Sequence, residues 1–444
     1  MDILKLNPEL ILDNQYKGNA HSIFMFWLPV VIIFFIGNTS IDWYTNVINV
    51  ILTDYSQYFP AGISRAITEK GNDFIVNETM SRIIIPSRES FYFFSLIVLV
   101  LPIVANIRES CIDLINKKVL YRALRIYLIL ALLVFHIPIS AAAKPSLNPF
   151  GQSTGWFYRR IFSVAVAYFT HLNGYVLFTV LSCLIMYILI CAIIIFIEKR
   201  NVHLSDFQYV SIFSSGLIIH YFHWPGGRPE HFVFLFAILS LMLPLSKYGR
   251  ATLMVLMFST HEAAALCIAM PLILFVFPKN ERNMNFTIIA GYFILWLLNF
   301  HFDVRGAIES QALIGNEFAY QGAIKTPLSI AGGIFFSYKI LWCFVPISFY
   351  CFVKNREIKS IYKVSFAILF PMFQILLALD TSRLISFGYL GIICAVIYSY
   401  HYMPKKYFNL VLLINLLIPS YDVGVWGFNA PKYGLYKMFH LLFM

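Results

Sequence analysis

The chain predicts an all-α, polytopic integral membrane protein, and three observations carry that reading. Hydrophobic residues make up 59 % of its 444 residues and charged residues 12 %, about half the charged fraction of a soluble domain. Apolar runs of roughly 17–25 residues, long enough to cross a bilayer as helices, recur from one end to the other. Lys and Arg gather in the short hydrophilic connections between those runs. No stretch has the composition of an independent soluble domain, so residues 1–444 read as a single polytopic membrane domain.

The first apolar run follows an N-terminus that mixes acids with Lys5 and Lys17. It has no small-residue cleavage site, so a cleaved signal peptide is not expected. Lys/Arg clusters lie at 108–125, 199–200, 247–250, 279–282, 354–363 and 405–406. The positive-inside rule places them in the cytoplasm, with Met1 on the same side. The connections 39–89, 144–173, 221–230, 302–328 and 380–383 then face outward. About eleven transmembrane helices result, at 20–38, 90–107, 123–143, 174–198, 207–223, 231–247, 284–301, 333–353, 364–379, 384–403 and 407–421. The outer loops 39–89 and 144–173 are expected to carry short interfacial helices.

Residues 251–277 lie between two basic loops, so the chain must enter the membrane and return. As helix this segment reaches only about 40 Å, whereas two full crossings need roughly 40 residues. A re-entrant hairpin resolves the conflict, with Ser259-Thr260-His261-Glu262 at its tip. Such backbone is tolerated at depth only where it is buried in protein or lines a cavity.

Several function classes lack support. The net charge of +11 sits in the connecting loops and does not point to a nucleic-acid partner. The cysteines (Cys111, Cys183, Cys191, Cys267, Cys343, Cys351 and Cys394) fall in spans or on the basic side, so no disulfide framework is expected. Zinc-type Cys/His spacing, a Walker loop, a Gly-x-Gly-x-x-Gly turn and a Gly-x-Ser-x-Gly turn are all missing from the sequence. Internal repeats of the kind that build many transporters are not evident.

Three charged islands remain: Arg228-Pro229-Glu230-His231, His261-Glu262 and Asp380-Thr381-Ser382-Arg383. An ionised group in hydrocarbon costs roughly 2.5–3.5 kcal/mol on insertion scales, so such groups pair, line a wet cavity or do chemistry. By the topology above, all three reach the outer side. Arg228 and the helix N-terminus opened by Pro229 form an anion site, or Arg228 and Glu230 are a local ion pair. His261-Glu262 reads as a general-base pair, with Glu262 shifted toward working pH by an apolar site, or as a cap for the hairpin backbone. Asp380 and Arg383 could share a helix face or close the turn as a salt bridge.

The outer loops add further candidates. Asp42 either caps an interfacial helix or serves the site. Arg82 and Arg88 read as headgroup-level anchors. Trp156, Arg159 and Arg160, followed by His171 and Asn173, suit either an interfacial belt or a grip on sugar and phosphate.

The run from Arg228-Pro229-Glu230-His231-Phe232 to Ser259-Thr260-His261-Glu262-Ala263-Ala264-Ala265, with Arg383 at a later span edge, resembles the bacterial polysaccharide repeat-unit polymerases, the Wzy and EpsG-like group. The resemblance implies a glycosyltransferase of O-antigen, capsule or exopolysaccharide synthesis at the outer face of the inner membrane. Its substrate would be a polyprenyl-diphosphate-linked glycan met among membrane lipid, with a flippase and a chain-length regulator as partners. No cofactor, nucleotide or metal is implied. Arg228 and Arg383 would hold the diphosphate, with Glu230, His231, Arg159, Arg160, Trp156, His171 and Asp42 as further substrate-binding candidates. Glu262, helped by His261, would take the acceptor proton, and Asp380 would orient Arg383 or act as alternate base. The alternatives are a multi-span transferase using a polyprenyl-monophosphate sugar, with Asp42 catalytic, and a lipid-glycan flippase or transporter.

Overall fold

The computed structural model describes residues 20–54, 71–111, 117–134, 143–151, 160–223, 229–298, 327–372, 385–424, 427–429 and 435–436. It is helical apart from one short antiparallel pair, β1 (Asp422–Gly424) and β2 (Gly427–Asn429). The first apolar run forms α1 (Ala20–Asn38), which turns by 90° into α2 (Ile41–Asp54). The Asn-Thr-Ser triplet makes that corner. Asn38 and Thr39 donate side-chain bonds back to the carbonyls of Phe34 (2.8 Å) and Phe35 (2.7 Å) and close α1. Ser40 Oγ accepts from the Trp43 N–H at 3.3 Å and opens α2. Short polar side chains stop helices in this way because they compete for backbone groups.

Helix α2 carries Ile41, Tyr44, Ile48 and Leu52 along one face, at the spacing of an amphipathic helix. With α3 (Asn72–Thr79) it forms a small core of Leu52, Val76 and Met80, separate from the main one. A π-turn at Met80–Ile84 leads from α3 into α4 (Ile85–Cys111).

Among the described residues, three stretches are long and apolar enough to cross a membrane: Asn72–Leu101, Gly174–Glu198 and Ile330–Lys354, with the bent α1/α2 pair as a fourth if it is one span. Among the described residues, the helices at the other expected spans are not long and apolar enough by this measure, and 123–143 and 364–379 lie partly outside the described residues. The run 207–223 divides into α8 (Asp206–Phe213) and α9 (Gly216–His223) at Ser214-Ser215. There Gly216 has φ +66°, and an added Cβ would stand 2.3 Å from the Tyr389 ring. Even the long 330–354 stretch breaks at Lys339, whose φ is +51°. At about 1.5 Å per residue, helices of 8 to 14 residues fall well short of a hydrocarbon layer of about 30 Å.

Residues 247–275 form two helices, α11 (Lys247–Thr260) and α12 (Glu262–Phe275), joined at His261, which is extended (φ −164°, ψ 103°). The chain then returns to its starting level. Glu281, just past the end of α12, forks onto Arg250 in the early part of α11, with Nε–Oε2 at 2.8 Å. Helix α13 (Lys279–Leu298) then runs alongside α11, bringing Tyr292 to Phe258 at 5.3 Å between ring centroids.

The contacts define two ends of the bundle. At one, Arg122 meets Glu198 (2.5 Å) and Asp206 (3.1 Å), Arg250 meets Glu281, and the Tyr400 hydroxyl donates to the His203 carbonyl at 3.2 Å. The basic loops gather here. At the other lie the α1/α2 corner, the His261 turn, the start of α10 (Glu230–Met242) and the 3-10 turn Ser386–Gly388. Between them sits one continuous apolar core, and large apolar side chains such as Val176 (74 % exposed) and Phe94 (65 %) cover the outside. An apolar exterior of this kind suits lipid rather than water.

Candidate functional site

The turn between α11 and α12 is built from small polar residues. Ser259 and Thr260 donate their hydroxyls to the carbonyls of Val255 (2.9 Å) and Leu256 (2.6 Å), which ends α11. His261 then caps α12: its Nδ1 accepts from the Ala264 N–H at 3.3 Å. In the neutral ring this leaves the proton on Nε2, which stands 3.4 Å from Oε1 of Glu230. Glu230 is the first residue of α10 and only 4 % exposed. The three alanines after Glu262 let the start of α12 approach its neighbours; Ala264 and Ala265 are fully buried.

Glu262 faces Arg160, the residue immediately before α6 (Ile161–Phe169). The guanidinium grips both oxygens, Nε to Oε2 at 3.2 Å and Nη2 to Oε1 at 3.0 Å. Burial works against the Arg160 charge, but Glu262 and then Glu230 outweigh it and hold the guanidinium above its usual value. The structure thus brings Arg160, Glu230, His261 and Glu262 together from three segments.

The expected site residues divide accordingly. Glu262, expected as a general base in an apolar site or as a cap for the hairpin backbone, has both oxygens on the Arg160 fork. Arg160, expected either in an interfacial belt or on sugar and phosphate, pairs with Glu262. His231 is a core residue, its ring on Tyr221 (5.1 Å) and its Nε2 3.5 Å from Ser182 Oγ. It points to α7 (Gly174–Glu198) rather than to Glu262. His171 is exposed in a turn with φ +56°, beyond the opposite end of α6 from Arg160. Asp42 lies in the first turn of α2, where Ser40 rather than Asp42 supplies the cap. It is half-exposed, and among the described residues it makes no ion pair. Arg228, Arg383, Asp380, Arg159 and Trp156 lie outside the described residues.

Arg88 departs from the headgroup-level anchor expected of it. Its side chain is buried, 4 % exposed, rather than anchored among headgroups. Nη2 donates to the carbonyls of Ile36 (3.1 Å) and Thr39 (2.9 Å), closing the end of α1, and the guanidinium lies 4.9 Å over the Tyr44 ring. Its neighbour Glu89 accepts from the Tyr168 hydroxyl at 3.3 Å, tying this corner to α6. Gly37, between the two capped carbonyls, packs against Ile161; a Cβ there would sit 3.4 Å from its Cγ2. The Asp42/Arg88 corner and the Arg160–Glu262 pair are therefore neighbours at one end of the bundle.

No protein-family model matches the chain, and neither a curated protein nor a solved structure is significantly similar to it. This end of the molecule combines the partly buried Asp42 carboxylate, the buried Arg88 guanidinium, Glu262 gripped by Arg160, and Glu230 with one oxygen 3.4 Å from His261 Nε2.

Proposed function

We propose that the protein is a membrane glycosyltransferase of surface-polysaccharide assembly that takes its donor glycan from a polyprenyl phosphate carrier. The chain is read as a multi-pass bacterial inner-membrane protein of about eleven spans, basic loops and N-terminus in the cytoplasm, with α11/α12 as a re-entrant pair. The site then opens on the outer face.

The observation that supports this reading best is the contrast between Asp42 and Glu262. Displacing a phosphate leaving group by a sugar hydroxyl needs a positioned base and a cation for the departing charge. Among the described residues the partly buried Asp42 makes no ion pair, whereas Glu262 is gripped by Arg160. Asp42 accordingly takes the acceptor proton, and Arg160–Glu262 with His261–Glu230 form the rigid floor behind it. This favours the form of the reaction in which one sugar moves from a polyprenyl-monophosphate donor.

A second reading, polymerisation of whole repeat units from a polyprenyl diphosphate, is favoured by the Glu230–His261 contact. It joins the two segments that carry the polymerase-like pattern. The two separate in a reconstitution: protein in lipid vesicles is given a polyprenyl-monophosphate sugar or a polyprenyl-diphosphate oligosaccharide, and products are resolved by gel. Single-sugar addition supports the first reading and a ladder of repeat units the second. Movement of lipid-linked glycan across the bilayer with no new glycosidic bond overturns both in favour of transport.

A further inference from the structure

We infer that Arg88 holds the phosphate of the lipid-borne substrate, beneath a cover formed by Tyr44 and helix α2. The inference rests on the reading of the substrate as a phosphorylated lipid. Arg88 is 4 % exposed, and among the described residues only its Nη2 is bonded, to two carbonyls, while Nε and Nη1 have no hydrogen-bond partner. Among the described residues no carboxylate pairs with it. A buried cation in that condition is strongly disfavoured unless an anion completes it. A guanidinium suits phosphate oxygens because it is planar, always charged and rich in donors.

The surroundings fit an amphiphilic anion. Along the same helix, Phe91 and Phe94 are 59 % and 65 % exposed and offer an apolar wall for an isoprenoid tail. The cover is separable from the body. Tyr44 belongs to the small Leu52/Val76/Met80 core that joins α2 to α3, and that core is distinct from the main one. Tyr44 is tied back by its hydroxyl, 3.1 Å from Thr39 Oγ1, and by ring contacts with Phe35 and Trp43. Shifting α2 would uncover Nε and Nη1 without opening the main core. Asp42 stands in the first turn of the same helix.

The test is equilibrium binding to the full-length protein in nanodiscs, with farnesyl phosphate, farnesol and inorganic phosphate as probes. The wild type should prefer farnesyl phosphate to farnesol. Arg88→Gln should lose about tenfold or more of the farnesyl phosphate affinity while farnesol binding is unchanged, and Arg88→Lys should fall between them. Tyr44→Ala should retain the affinity and bind faster, a result available even if Arg88→Gln does not fold. Equal binding of farnesyl phosphate by wild type, Arg88→Gln and Arg88→Lys overturns the inference, as does a wild type that does not distinguish the phosphate from the alcohol. Inorganic phosphate competing as well as farnesyl phosphate overturns the lipid source. Turnover on the same samples separates the two claims. Binding lost in Arg88→Gln from a wild type that forms no glycosidic bond removes the transferase reading and keeps Arg88. Turnover and binding both unchanged in Arg88→Gln remove Arg88 and keep the reading.

Discussion

Arg160 and Glu262, far apart in sequence, meet in a two-bond fork of 3.2 and 3.0 Å with side chains only 15 % and 13 % exposed. This pair fixes the start of α12 to Arg160, the residue that precedes α6. Removing one member of a buried pair strands the other. Arg160→Met should therefore destabilise the protein by about 3 kcal/mol, read as a lowered thermal unfolding midpoint in detergent. The double replacement Arg160→Met/Glu262→Leu should recover most of that loss. A double variant as unstable as the sum of the two single variants would show that the pair acts through something other than charge.

His261 has two separable jobs, capping α12 through Nδ1 and meeting Glu230 through Nε2. Asn is a good cap and Ala a poor one, so His261→Asn should be about 1 kcal/mol more stable than His261→Ala. Thermal unfolding of the two variants side by side checks this. Equal midpoints would mean that the cap contributes nothing.

At the α8/α9 interruption, Gly216 combines a left-handed φ of +66° with a ring 2.3 Å from where a Cβ would stand. Gly216→Ala should cost about 1–3 kcal/mol from overpacking and strain together. A paired Tyr389→Leu change, which removes the ring edge, should restore part of it in the same unfolding assay. No recovery would place the whole cost in the backbone.

Much of the helical plan was legible because apolar runs report it directly: residues 174–198 form one helix over the expected range. The turn at His261 was legible too, since 27 residues cannot cross twice. What the sequence hid were interruptions and long-range partners. Ser214-Ser215-Gly216 and Lys339 look like tolerable residues within apolar runs, yet they break helices because neighbours across the core hold them. The Lys339 ammonium donates to the Ile418 carbonyl at 2.9 Å and Ser214 Oγ at 3.2 Å. Arg88 looks like any loop-end arginine until the α1 corner folds over it. Arg160 has no nearby acid in sequence, so its grip on Glu262 could not be read from spacing.

The central claim is that Asp42, not Glu262, takes the acceptor proton. Asp42 is half-exposed and in no ion pair among the described residues, so Asp42→Asn should leave the unfolding midpoint unchanged. The measurement that tests the claim most directly is the initial rate of glycosidic-bond formation by wild type, Asp42→Asn and Glu262→Gln in vesicles supplied with the polyprenyl-linked donor. The account predicts that Asp42→Asn loses about 10²–10⁴ in rate. Glu262→Gln, corrected for the fraction folded, should lose far less. An active Asp42→Asn with a folded but inactive Glu262→Gln would contradict it and return the base to the His261 turn.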